Sequence, residues 1–109
     1  MADKRRYFRH KLAFPAEYQQ MSSLQYSHTV TKDLSLGGVK IIGENFISKG
    51  KMLKLKLNLP KRVFNFKTRV AWCNRERFSD RYCLGCEFVE TPQFYKSQYR
   101  QFLNNVASS

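Results

Sequence analysis

Two short stretches near the N-terminus carry residue types suited to an anionic ligand that contains a base. Arg5 and Arg9 stand four positions apart. In an extended segment even offsets share a side, and in a helix an offset of four shares a face. Either conformation presents the two guanidiniums together and sends Arg6 elsewhere. A guanidinium is a planar fork that fits phosphate oxygens and also the O6/N7 edge of guanine. The other reading is a solvated basic tail, because Lys4, Arg5, Arg6, Arg9 and Lys11 face the single acid Asp3.

The second stretch is Asp33-Leu34-Ser35-Leu36-Gly37-Gly38. On a strand, Asp33 and Ser35 point out together while Leu34 and Leu36 anchor the opposite face. A carboxylate there can accept hydrogen bonds from the N1 and N2 donors of guanine, which favours that base over adenine. Gly38 allows a close backbone approach to a ligand or a positive φ. The alternative is a plain turn in which Asp33 or Ser35 bonds its own backbone.

Other chemistry is thinly represented. The sequence offers no paired carboxylates, no Ser/His/Asp arrangement and no phosphate-binding glycine loop, and His10 and His28 are isolated, so catalysis is not expected. Cys83-Leu84-Gly85-Cys86 has the spacing of zinc and redox pairs. It falls inside an apparent strand, however, where residues three apart point to opposite faces. Cys73, Cys83 and Cys86 therefore read as packing cysteines, and neither a metal nor a cofactor is expected.

The elements that must position these groups are mostly strands. Leu53, Leu55, Leu57 and Leu59 alternate with Lys54, Lys56 and Asn58, the period of a half-buried antiparallel strand. After a turn at Pro60-Lys61-Arg62, the residues Phe64, Phe66, Thr68, Val70 and Trp72 alternate in the same way. A polar loop from Asn74 to Arg81 leads to a strand from Tyr82 to Val89, in which Gly85 marks a bulge or a close backbone approach. Two shorter strands, Leu12 to Gln20 and Ser27 to Leu34, precede a glycine-punctuated hairpin into Val39–Ile42. Thr91-Pro92 starts a helix whose Tyr95, Tyr99, Phe102, Leu103 and Val106 form one apolar stripe. The expected fold is mainly β: a small six-stranded antiparallel, Greek-key-like β-barrel closed by a C-terminal α-helix. The chain of 109 residues reads as a single domain, with a mobile basic switch over 1–11, the barrel over 12–90 and the helix over 91–106.

The net charge of +12 attracts anions without choosing among nucleic acid, phosphorylated small molecules, anionic membranes and acidic proteins. No apolar run approaches the length of a membrane span and no signal peptide is visible, so a cytoplasmic protein without stable membrane insertion is expected.

In order and at this spacing, Arg5-Arg6-Tyr7-Phe8-Arg9 and Asp33-Leu34-Ser35-Leu36-Gly37-Gly38 resemble the RxxxR and [D/N]xSxxG signature of the PilZ family. Arg69-Val70-Ala71-Trp72 and Leu84-Gly85-Cys86-Glu87-Phe88-Val89 resemble its later strands. The resemblance implies a six-stranded barrel with a C-terminal helix that binds cyclic di-GMP. It further implies that Arg5 and Arg9 contact phosphates and guanine edges from a wrapping N-terminal loop, while Asp33, Ser35 and Gly38 hold a guanine on the barrel surface. Lys4, Arg6 and Gly37 are accessory positions, and Lys4 bears on whether one ligand or a stacked pair binds. The implied role is a receptor that regulates a downstream protein effector in motility, biofilm or exopolysaccharide control. Two rivals remain. One is a basic barrel for single-stranded nucleic acid, with Tyr7, Phe8, Tyr26 and Phe78 as stacking residues and charge from Lys54, Lys56, Arg75, Arg77 and Arg81. The other is an adaptor that works by protein contacts alone.

Overall fold

Inward-pointing leucines and aromatics decide the architecture. The computed structural model describes residues 9–108. Its elements are β1 (Pro15–Gln20), β2 (Ser27–Leu34), β3 (Gly38–Gly43), β4 (Met52–Leu59), β5 (Arg62–Arg75), β6 (Tyr82–Phe88) and α1 (Gln93–Ser108). All neighbouring strands pair antiparallel, and the sheet closes in the order β1-β2-β3-β6-β5-β4. Closure leaves no unpaired sheet edge. The β3–β4 connection leaves one hairpin for the far side of the barrel, which gives the expected Greek-key character.

The four leucines of β4 point into the barrel and are buried, as are Phe64, Phe66, Thr68 and Val70 of β5. Lys54, Lys56, Asn65 and Lys67 stand outside, as the period of two requires. Helix α1 adds Tyr99 and Leu103 to the core. The Tyr99 ring meets Phe64, Phe66 and Phe88 edge-on at 5.4, 5.1 and 5.5 Å, an arrangement favoured by the ring quadrupoles. The apolar stripe of the helix is thus a core face.

Four local expectations are corrected. β1 begins at Pro15 rather than Leu12, because proline has no N–H for the ladder and suits only the first position. β5 runs on to Arg75, since Asn74 and Arg75 pair with Cys83 and Tyr82 and the polar loop shrinks accordingly. A bulge between Val70 and Trp72 breaks the alternation. Trp72 therefore sits opposite Gly85 on the outer face instead of joining Phe64 and Phe66 inside. The helix spans Gln93–Ser108 rather than 91–106. Its first bond runs from the Lys96 N–H to the Pro92 carbonyl, which places the cap at Pro92 instead of Thr91.

Candidate functional site

Arg9 of the first stretch meets Asp33 of the second on the outer face of β2, and three local devices bring them there. The first is the pairing of the N-terminal segment with β2. His10 and Leu34 exchange two backbone hydrogen bonds of 2.8 and 2.9 Å. The Thr31 hydroxyl donates to the Leu12 carbonyl and accepts from the Phe14 N–H. These contacts fix where residue 9 enters.

The second device is a bulge between Thr31 and Asp33. Thr31 points inward and is buried, and the extra residue Lys32 lets Asp33 emerge on the outer face opposite Lys40. There the Arg9 Nη1 donates to Asp33 Oδ1 at 2.8 Å, and the Lys40 Nζ lies 3.5 Å from Asp33 Oδ2. The Asp33 side chain is only 8% exposed beneath these two cations. Asp33 thus faces out as the sequence suggested but is covered there, and Ser35 is buried as well.

The third device is the turn between β2 and β3. The Ser35 N–H donates to the Gly38 carbonyl at 3.0 Å, and the Ser35 Oγ accepts from the N–H groups of Gly37 and Gly38 at 3.3 and 3.2 Å. This is the serine turn named above as the alternative. The Gly37 carbonyl accepts from the Phe88 N–H, which ties the turn to β6. Gly38 does not take a positive φ. A Cβ there would lie 2.2 Å from the Cys86 carbonyl oxygen, so its smallness serves a close approach to β6. Ser35, Gly37 and Gly38 thus shape the backbone beside the Arg9–Asp33 pair.

Reading across the outer face from β2, the register aligns Asp33, Lys40, Gly85 and Trp72 in one row. The row ends in an aromatic surface. A Cβ on Gly85 would fall 2.2 Å from the Trp72 ring, so the indole lies directly over the β6 backbone next to Lys40. Gly85 is the close approach that the sequence suggested, and its neighbour is a side chain. Lys40 and Trp72 were not singled out as site residues from the sequence. The signal for Trp72 was available in Gly85 facing it, but it depends on a bulge that alternation does not announce.

Beyond this row the Lys32 Nζ reaches Glu76 Oε2 at 2.9 Å, and the Cys83 thiol lies 3.7 Å from the same oxygen. The Lys32 hydrogen bond holds the Glu76 carboxyl below its usual range. Burial is the main force raising the Cys83 thiol. Cys86 points inward, and burial pushes its thiol to about 12. Cys83 and Cys86 face opposite ways, as their spacing on a strand requires, and all three cysteines are free. Among the described residues no group of three or more His, Cys, Asp or Glu side chains could hold a metal. No helix there is long and apolar enough to cross a membrane. Lys4, Arg5 and Arg6 lie outside the described residues, as do Tyr7, Phe8 and most of the expected switch segment.

The row can therefore accept an anion at Arg9 and Lys40, offer a carboxylate to N–H donors once those cations are drawn away, and stack a flat ring against Trp72. Comparison with known proteins bears on this arrangement. The family model of the PilZ domain matches residues 3–105. Among solved structures, the PilZ domain of YcgR from Escherichia coli with c-di-GMP superposes with a TM-score of 0.81 at 17% identity, covering 97% of this chain and 93% of that one. The Bacillus subtilis inhibitor of motility MotI/DgrA gives 0.75 at 20% identity, covering 94% and 53%. The K. pneumonia MrkH–c-di-GMP complex gives 0.80 at 18% identity, covering 97% and 52%. The chain thus spans about half the length of the MotI and MrkH chains. No curated protein matches by sequence search.

Proposed function

This chain belongs to the PilZ domain family, and from that premise we propose that it is a receptor for cyclic di-GMP that signals to a partner protein. Family members are binding and regulatory proteins. The observation that carries the proposal is the Arg9–Asp33 contact. One residue from each motif, 24 positions apart in sequence, meets the other at 2.8 Å. Relatives of the same fold solved with c-di-GMP, the YcgR domain and MrkH, support the choice of ligand.

In the proposed mechanism the ligand exchanges partners with the site. Its two phosphodiesters draw the guanidiniums of Arg9 and Arg5, joined by Lys40, with Lys4 and Arg6 adding positive field. Asp33 then accepts from the N1 and N2 donors of a guanine. Trp72 presents its ring face to a base. Ser35, Gly37 and Gly38 hold the turn that sets the position of Asp33. Each charge-assisted hydrogen bond contributes about 1.5–3 kcal/mol, which offsets ordering a few N-terminal residues at about 1–2 kcal/mol apiece.

The same segment supplies the route to a partner. Beyond His10 the chain carries Phe14, whose ring meets Phe102 of α1 edge-on at 5.8 Å. A change in how the segment from Arg9 to Leu12 lies on β2 is thereby passed to the helix, and the altered helical surface is what the effector reads. The test is calorimetric titration with cyclic di-GMP beside Arg9→Ala. Saturable binding is expected, weakened about 30-fold or more in the variant, in line with ~2–5 kcal/mol for a lost charged contact. Folded protein that gives neither heat nor binding overturns the proposal and leaves the adaptor reading.

A further inference from the structure

On the opposite side of the barrel, β1, β4 and β5 form a second basic face, and this one is concave. The register places Lys54 directly opposite Lys67, with Lys56 two positions along the same side of β4. Like charges directly opposed across a sheet are unfavourable, and the relief here is one-sided, reaching Lys56 and Lys67 but not Lys54. Glu17 lies 3.6 Å from Lys56 and Glu90 lies 2.9 Å from Lys67. Lys54 has no acidic partner among the described residues. The β1–β2 turn borders the lysines with Met21 and Tyr26, which are 47% and 59% exposed. The turn is held by the Gln19 side-chain amide on the Ser23 carbonyl at 2.7 Å and by the Met21 N–H on the Met52 carbonyl at 3.2 Å. Together these residues enclose a groove of about 530 Å³.

We infer that this groove binds single-stranded nucleic acid without sequence preference, with Lys54, Lys56 and Lys67 along the phosphates and Tyr26 stacking on a base. A positive groove beside an exposed aromatic ring is what such binding needs, because every base has a π-face and every nucleotide a phosphate. Lysine supplies a mobile point charge, suited to following a flexible backbone. The composition argues against an acidic protein as occupant, since lysine is depleted from protein interfaces while arginine is enriched, and the groove holds three lysines and no arginine. The inference does not depend on cyclic di-GMP, whose proposed site uses the outer face of β2, β3 and β6 together with Trp72, beyond the bulge in β5.

Fluorescence anisotropy with a labelled twelve-residue oligothymidylate and the full chain tests it. At about 50 mM salt binding is expected, falling with salt at a log–log slope of about −2 for three phosphate contacts on a single strand. Lys54→Gln with Lys67→Gln should weaken binding about tenfold or more and flatten the slope. Tyr26→Ala should weaken it several-fold with the slope kept. Circular dichroism melts confirm that these surface variants fold. Saturating cyclic di-GMP and Arg9→Ala should leave oligonucleotide binding unchanged. If either abolishes it, the strand occupies the cyclic dinucleotide face and the inference fails. It fails equally if the oligonucleotide does not bind, if the groove variants bind like the parent, or if polyglutamate or vesicles with anionic headgroups compete as well as the oligonucleotide does.

Discussion

The two outer faces of the barrel carry the same kind of charge and are built in opposite ways. On the β2–β3–β6 face the charges are paired and partly covered: Arg9 and Lys40 both engage Asp33, and a Cβ has no room at Gly38, against the Cys86 carbonyl, or at Gly85, against the Trp72 ring. On the β1–β4–β5 face β4 keeps its alternation throughout and β5 as far as Val70, Lys54 opposes Lys67 without an acidic partner of its own among the described residues, and Lys56 and Lys67 lie 3.6 and 2.9 Å from Glu17 and Glu90. The first face fixes positions and the second supplies a field. Preorganised contacts discriminate among ligands, whereas a field of exposed cations draws anions in a salt-dependent way and discriminates little. A barrel wall can do either, depending on whether bulges and glycines interrupt its period of two.

The largest expected effect tests the backbone half of this comparison. In Gly38→Val the new Cβ would fall 2.2 Å from a backbone carbonyl, and a strand carbonyl cannot turn aside as a side chain can. Such overpacking costs roughly 1–3 kcal/mol or more, so thermal melting should drop by about 10 °C or more for a domain of this size. Asn65→Val, on the outer side of β5, should stay within about 0.5 kcal/mol. Equal losses would mean that the two faces are equally tolerant and the contrast is wrong.

A smaller effect tests the charges. Asp33→Asn leaves Arg9 and Lys40 without their shared carboxylate and should cost about 1–3 kcal/mol in urea denaturation. Lys54→Gln removes one member of an opposed lysine pair and should be neutral or stabilise by a few tenths of a kcal/mol up to about 1 kcal/mol, more so at low salt. A destabilised Lys54→Gln, or an indifferent Asp33→Asn, would reverse the assignment of Asp33 as a paired charge and Lys54 as an unpaired one.

Much of the fold was legible because its signals are periodic. The leucines of β4 and the aromatics of β5 lie where alternation puts them, and Tyr99 and Leu103 are buried as helical spacing requires. The site was legible as two motifs but not as a geometry. Asp33 reaches the outer face through a bulge at Lys32, and its burial comes from Arg9, which is distant in sequence. Trp72 read as a core residue because the bulge after Val70 that turns it outward leaves no mark on a hydrophobic pattern. Gly38 was read as a close approach to a ligand or a positive φ, whereas the close approach it makes is to the Cys86 carbonyl of another strand. Bulges and non-local contacts are tertiary outcomes, and a period of two carries no record of them.

The smallest effect is chemical and uses the cysteines as reporters of the two environments that meet in β6. The thiolate is the reactive form. With its thiol pushed from 9.0 to about 12, Cys86 presents about a thousandfold less thiolate at a given pH. It should remain unlabelled by iodoacetamide at pH 8 until the barrel unfolds. The same shift makes the folded state hold its proton more tightly than the unfolded chain does. The contribution of Cys86 to stability is therefore complete below pH 9 and falls by about 1.4 kcal/mol per pH unit between 9 and about 12. Tyr99, also raised by burial, adds a loss of the same sign above its ordinary value. Cys83 points outward beside Glu76 and Lys32 on the face proposed for cyclic di-GMP. Peptide-resolved labelling of Cys83 should slow several-fold with saturating cyclic di-GMP and stay constant with the oligonucleotide. Protection by the oligonucleotide instead would place the single strand on the paired face and merge the two functions into one surface.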